Sequence, residues 1–288
     1  MPLLPVSELE RLFPVFRGKA GNALASVSRK LLSVSKLSDM YDEFTHLEGP
    51  AFAGAMLERL GIDCRIGNPE RLLNLPEGPF ITVSNHPYGG IDGVVLLDLI
   101  GHSREGFKVM VNEFLGLVEP LRKSWIVVNP KNDISSGVTG TNIHGVKKVL
   151  STLAGGDPVG FFPSGAISDL KPAKMKIQDR EWQEPLVRLI RKAGVPIVPI
   201  RFFDRNTIFF YLLGLLDWRI RSMRLPREIV NKKGARVRVG IGNILTVEEQ
   251  LEHPEIEDYA NWLRESVYGM PMPEGFEDYS KFVSRTRK

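Results

Sequence analysis

The chain has 288 residues, 43% of them hydrophobic and 25% charged, which suits a globular domain with an extension and excludes a disordered or fibrous protein. Its single cysteine, Cys64, excludes an internal disulfide framework and a cysteine-rich zinc site, and fits a reducing, cytoplasmic setting. Much of the net charge of +4 comes from Arg219–Arg238, where Glu228 is the only acid. Such a run favours an anionic partner, whether a phospholipid surface or an acidic carrier protein, although a solvated basic face would read the same way.

In chain order, the first seventy residues read as helical, with segments at Val6–Phe16, Leu24–Val34, Leu37–Phe44 and Phe52–Leu60. Met40 and Phe44, then Phe52, Met56, Leu57 and Leu60, recur at helical spacing, and Gly61 supplies a stop. From residue 71 onward the pattern alternates. Strand-like runs at Phe80–Val83, Phe107–Val111, Trp125–Val128, Val159–Phe162, Ile197–Phe202 and Arg236–Ile241 are interleaved with helix-like segments at Gly93–Ile100, Ile143–Ala154 and Glu184–Lys192. This predicts an α/β fold: a largely parallel central sheet flanked by helices (71–288), preceded by an N-terminal helical extension (1–70) that is a candidate for membrane association. No apolar run reaches the roughly eighteen residues of a membrane span, and the N-terminus has no secretory signal pattern. Thr207–Leu216 (TIFFYLLGLL) reads first as a buried core helix, and alternatively as a surface dipping into a lipid interface beside its basic neighbours.

Two stretches follow strands and carry chemistry. In "NHPYGGIDG", Asn85–Gly93, the strand delivers His86 to the sheet edge, Pro87 ends the strand, and Gly89 and Gly90 allow a compact loop. Asp92 then opens a helix, where it can turn back on the imidazole and fix its tautomer, the arrangement of a general-base histidine. An N-capping aspartate beside a loop histidine would give the same spacing. In "FFPSGAIS", Phe161–Ser168, Pro163, Ser164 and Gly165 make a turn whose amides could bind an oxyanion, or simply end a strand. Ser164 lacks the Gly-x-Ser-x-Gly elbow of a serine hydrolase. His46, His102, His144 and His253 show no ligand spacing, so no metal site is expected. There is no Walker loop or Gly-x-Gly-x-x-Gly, and the basic run lacks interleaved aromatics, so neither nucleotide chemistry nor nucleic-acid binding is expected.

Together these blocks resemble the glycerolipid (lysophosphatidate-type) acyltransferase family over roughly residues 75–242. The matching residues are Asn85, His86 and Asp92; then Phe162, Pro163, Gly165 and Ser168; then Val195-Pro196-Ile197-Val198-Pro199. The resemblance implies catalytic roles for His86 and Asp92. It implies substrate binding by Asn85, Gly89, Gly90, Phe162, Pro163, Ser164 and Gly165. It further implies O-acyl transfer to a membrane lipid hydroxyl, with acyl carrier protein or coenzyme A thioester as co-substrate and no other cofactor. The implied location is peripheral, on an anionic inner membrane face. Three departures stand out: five residues rather than four separate His86 from Asp92, Ser164 replaces a glutamate, and Asn129-Pro130 stand where the family carries a phosphate-binding arginine. Loss of that arginine argues against a glycerol-phosphate acceptor. The Asn-His-Pro-x-Gly-Gly-x-Asp-Gly form is similar to a hemolysin-like branch associated with amino-acid-containing lipids, and so implies a lyso amino-acid lipid or lysophospholipid acceptor. The alternatives are a lipid-binding protein without catalysis, and a thioesterase or lipid hydrolase.

Overall fold

The computed structural model describes residues 34–113, 115–128 and 140–286. The expected helix at Val6–Phe16, Leu24–Val34 up to residue 33, and Asn129-Pro130 lie outside these residues.

Among the described residues, eight strands form the central sheet: β1 (Asp63–Gly67), β2 (Ile81–Ser84), β3 (Lys108–Asn112), β4 (Trp125–Val128), β5 (Val159–Phe161), β8 (Ile197–Phe202), β9 (Arg236–Ile241) and β10 (Glu277–Asp278). Their order is β10-β1-β9-β8-β2-β5-β3-β4, parallel throughout except at β8–β9 and β10–β1. A separate hairpin pairs β6 (Asp169–Lys171) with β7 (Lys176–Gln178). All four residues of β2 are buried, as expected of a central parallel strand covered on both faces.

The period-two alternation of the strands divides the core between those faces. Val198, Ile200 and Phe202 of β8 point to one side and Ile197 to the other. The first side is covered by α1 (Val34–Glu43), α2 (Gly49–Arg59) and α3 (Gly90–Gly101), the second by α4 (Gly140–Ala154), α5 (Glu184–Ala193) and α9 (Ile256–Tyr268). Helix α3 is buried on nearly every face because it lies between the sheet and α2. Gly101 permits that contact, since a Cβ there would fall 2.6 Å from Pro50 Cγ. At the far end α10 (Tyr279–Thr286) packs beside β1.

Two expectations change. Residues 63–67 form β1 and pair with β9, so residues 1–70 are not wholly helical. The sequence DCRIG carries two charges in five residues and has no long apolar run, which hid the strand. The second change concerns α6 (Ile208–Leu216), read first as buried core. Only Phe210 and Tyr211 are buried, while Phe209, Leu212, Leu215 and Leu216 are exposed. The exposed face continues through Trp218 and Ile220 on α7 (Trp218–Met223), before α8 (Leu225–Val230) turns back to the core.

Candidate active site

His86 stands just past the carboxyl end of β2, where the turn after β5 lies alongside it. Ligand sites in open α/β sheets collect at such strand ends. The two loops are tied together through the His86 backbone. Its N–H donates to Asp179 Oδ1 at 3.1 Å, and its carbonyl accepts from Ser168 N at 2.9 Å.

The loop between His86 and α3 closes on Asp92. One carboxylate oxygen, Oδ2, accepts from the amides of Tyr88 (2.9 Å) and Gly89 (3.0 Å) and lies 2.9 Å from His86 Nδ1. The imidazole approaches off-axis, and among the described residues neither Nδ1 nor Asp92 Oδ1 has another aligned partner. Asp92 is fully buried, while the His86 side chain keeps 16% of its exposure. Burial pushes the Asp92 carboxyl above the ordinary carboxylate range, opposed by the His86 ring and the Tyr88 and Gly89 amides. With Nδ1 turned to Asp92, Nε2 is the nitrogen on the open side of the ring. Phe162 stacks on the other face, with centroids 4.2 Å apart and 30° between planes.

Gly89 makes the loop possible. Its φ of +87° suits glycine alone, and a Cβ would meet Ile167 Cδ1 at 2.7 Å. From outside, Tyr211 Oη donates to Pro87 O at 2.7 Å, and Asn206 Nδ2 donates to the carbonyls of Pro87 and Tyr88 at 3.3 and 3.2 Å.

Two cavities meet at His86. One, of about 220 Å³, extends along Met110, Val111, Phe161, Phe162 and Leu189. The other, of about 180 Å³, runs beside α1 and α2 past Phe52, Met56, Leu57 and Trp125. His86, Gly89, Asn112, Leu115 and Gly165 line both. Among the described residues no lysine or arginine lines either cavity, and no group of three His, Cys, Asp or Glu could hold a metal ion.

Of the residues picked out in the sequence, the structure brings His86, Asp92, Gly89, Gly90, Phe162 and Gly165 together around these cavities. Three others make hydrogen bonds within the protein. Asn85 holds the sheet: its Nδ2 donates to Phe202 O at 2.9 Å and its Oδ1 accepts from Phe202 N at 2.8 Å. The Ser164 hydroxyl turns inward to Ala166 O at 2.7 Å. Pro163 lines neither cavity and accepts from Gln183 N at 2.9 Å. The Gly165 amide is likewise engaged, donating to Phe162 O at 2.9 Å within the turn.

Sequence reasoning missed Asn112 and Asp179. Asp179 is 2% exposed and accepts from Ser168 Oγ at 2.5 Å as well as from His86 N. Burial raises its carboxyl too, against hydrogen bonds from Ser168 and His86. Nothing in "KIQDREW" marks it, because its partners lie 11 and 93 residues away. The basic run is also less available than its sequence indicates. Arg221 is buried against Asp169, Arg224 pairs with Glu228, Arg236 with Asp63 and Arg238 with Asp204.

Residues 11–271 match the sequence model of the family described as Acyltransferase. The chain belongs to that acyltransferase family. Among its relatives, the acyltransferase is 28% identical over 254 residues to a lyso-glycine lipid O-acyltransferase of Bacteroides thetaiotaomicron, covering 85% of this chain and 89% of the relative. It is 29% identical over 270 residues to the enzyme of the same name from Phocaeicola vulgatus, covering 88% and 92%. Among solved structures, the acyltransferase is similar to the 1-acyl-sn-glycerophosphate (LPA) acyltransferase PlsC of Thermotoga maritima, at 13% identity and a TM-score of 0.45 over 76% of this chain and 80% of that one.

Proposed function

We propose that this acyltransferase moves a fatty acyl group from an acyl thioester, carried by acyl carrier protein or coenzyme A, to the hydroxyl of a lyso amino-acid lipid. The observation that carries the reading is the His86–Asp92 pair at the junction of two largely apolar cavities. The names of the two relatives support a glycine-lipid acceptor, and the lack of a cationic lining among the described residues fits a lysophosphatidate headgroup poorly.

In this reading the acceptor oxygen attacks the thioester carbonyl while His86 Nε2 takes its proton. Asp92 holds Nδ1–H and stabilises the imidazolium. The tetrahedral intermediate collapses, the C–S bond breaks, and the imidazolium returns the proton to the leaving thiolate, giving an ester and a free thiol. No covalent acyl-enzyme is needed, because the thioester is already activated.

The acyltransferase works at a membrane surface in this proposal, on the cytoplasmic face. No described helix is long and apolar enough to cross a membrane. The exposed apolar face of α6 and α7 supports interfacial docking, with Arg219 lying over the Trp218 ring and Arg224 over Phe209.

The test is purified protein with acyl-carrier thioester and a panel of lysophosphatidate, lyso-ornithine lipid and a hydroxylated acyl-glycine. A new ester on the glycine lipid, reduced at least roughly 10²-fold by His86→Ala, is expected. Free fatty acid without ester would identify a thioesterase instead. Unchanged turnover in His86→Ala would remove the general-base assignment.

A further inference from the structure

An acyl transfer to a lysolipid brings two apolar chains to one reacting centre. One hangs from the thioester carbonyl and the other already belongs to the acceptor. Transfer to a chainless hydroxyl needs an apolar site for one chain only. In this molecule two apolar cavities diverge from His86, on opposite sides of the sheet end, and polar groups gather where they join, at His86 and Asn112. Their walls come from different layers. Met110, Val146 and Leu189 bound the larger cavity, whereas Phe52, Leu57 and Ile229 bound the smaller.

Resting on the proposed function, we propose that these are two separate acyl-chain sites. The donor's chain occupies the cavity beside α4 and α5, and the acceptor's own chain occupies the cavity between α2 and α8. The assignment follows from what lies outside each cavity. Leu225, Pro226 and Ile229 of α8 wall the smaller cavity, and α8 follows directly from the exposed apolar face of α6 and α7. An acceptor dissolved in a bilayer therefore reaches that cavity first. The larger cavity ends at Val146 of α4 and at Pro185 and Leu186 beside the charged surface of α5, where Glu184 pairs with Arg188. A water-borne thioester carrier meets that side. The two chains then approach His86 from opposite directions, which places the acceptor hydroxyl and the donor carbonyl together with no shared chain path.

Photo-crosslinking of the full chain tests this directly. Two probes carry a diazirine in the acyl chain: an acyl-coenzyme A, and a hydroxylated N-acyl-glycine lysolipid with the diazirine in its resident chain. The lysolipid probe is expected to label peptides containing Phe52–Leu57 or Ile229, and the thioester probe peptides containing Val146 or Leu189. Labelling of one common wall by both probes, exchanged walls, or labelling of neither would overturn the assignment. Crosslinking reads binding alone, so it separates this inference from the proposed reaction. Ester formation with both probes on one wall keeps the activity and removes the two-site assignment. Partitioned labels without ester formation do the reverse. As a second readout, Ile229→Trp should raise the acceptor KM roughly tenfold with the donor KM changed less than about twofold, and Val146→Trp should do the opposite. If each variant shifts both constants together, the chains share one path.

Discussion

Tyr211, on the buried face of α6, donates its hydroxyl at 2.7 Å to the carbonyl of Pro87, the residue after His86. The helix that presents apolar side chains outward therefore also fixes the loop that carries the proposed base. Burial raises the Tyr211 phenol well above its ordinary range, so it stays a donor at any working pH. Tyr211→Phe removes this bond and the one that Tyr211 Oη accepts from Asn206 N at 3.2 Å, and should keep the fold at a cost of about 1–3 kcal/mol. It should lower kcat more than it raises KM, because the loop is loosened rather than the cavities. An unchanged kcat in steady-state kinetics would show that Asn206 alone holds the loop.

Asp92→Asn separates stability from chemistry. Burial raises the folded-state pKa of Asp92 above its unfolded value, so between the two the folded protein binds more protons. Stability from this group is thus fully present below the ordinary carboxylate range and falls as pH rises through the raised value. Asparagine removes that fall while its side-chain oxygen can still accept from Tyr88 and Gly89. Thermal melts should therefore show the variant as stable as the parent, or more so, at pH 7 to 8 (on the order of a neutral buffer range), with the difference shrinking in acid. Activity should drop by about 10² or more, since the imidazolium formed during transfer loses the carboxylate charge that stabilises it. A variant that melts earlier at neutral pH would reverse the assigned sign.

Asp179 is assigned as a positioning residue, acting through the His86 backbone and Ser168. Asp179→Ala leaves two buried donors without a partner and should destabilise by about 1–3 kcal/mol. Asp179→Asn keeps one acceptor and should restore most of that stability. If the carboxylate also matters as a charge near His86, the asparagine variant will show a shifted pH–rate profile despite its restored melting temperature. Superimposable profiles would limit Asp179 to holding the backbone.

Gly89→Ala tests the loop geometry. The positive φ and the 2.7 Å approach to Ile167 make even one methyl group unfavourable. Loss of about 1–3 kcal/mol and a large fall in activity are expected. Pairing it with Ile167→Ala should recover the steric part and leave the backbone strain, measured by a double-mutant cycle of melting free energies.

The outward face of α6 gives a prediction about location. Leu212→Glu with Leu216→Glu changes side chains that are 45% and 78% exposed, so the melting temperature should hold within a few degrees by about the usual surface-substitution effect. Release from anionic vesicles in a flotation assay is the expected outcome. Parent binding should persist partly at high salt, because the apolar face contributes and several basic residues of 219–238 are already paired internally. Retention of the double variant on vesicles would move the contact elsewhere.

The sequence by itself determined the strands and helices of the sheet's centre, because β2, β8, β9 and α3 carry their own apolar runs and α5 its own periodicity. It also offered His86 and Asp92 as a pair, through a spacing that an N-capping aspartate would share and that the family resemblance favoured; the fold brings them to 2.9 Å. Only the tertiary structure decided the rest. Asn85 is engaged by Phe202, 117 residues away, and Asp179 reaches His86 across 93, distances over which no local pattern carries information. The exposure of α6 was one of two readings, and the pattern favoured the other. A run as apolar as IFFYLLGLL reads as core, and whether water, protein or lipid meets its outer face depends on which neighbours the fold sets against it.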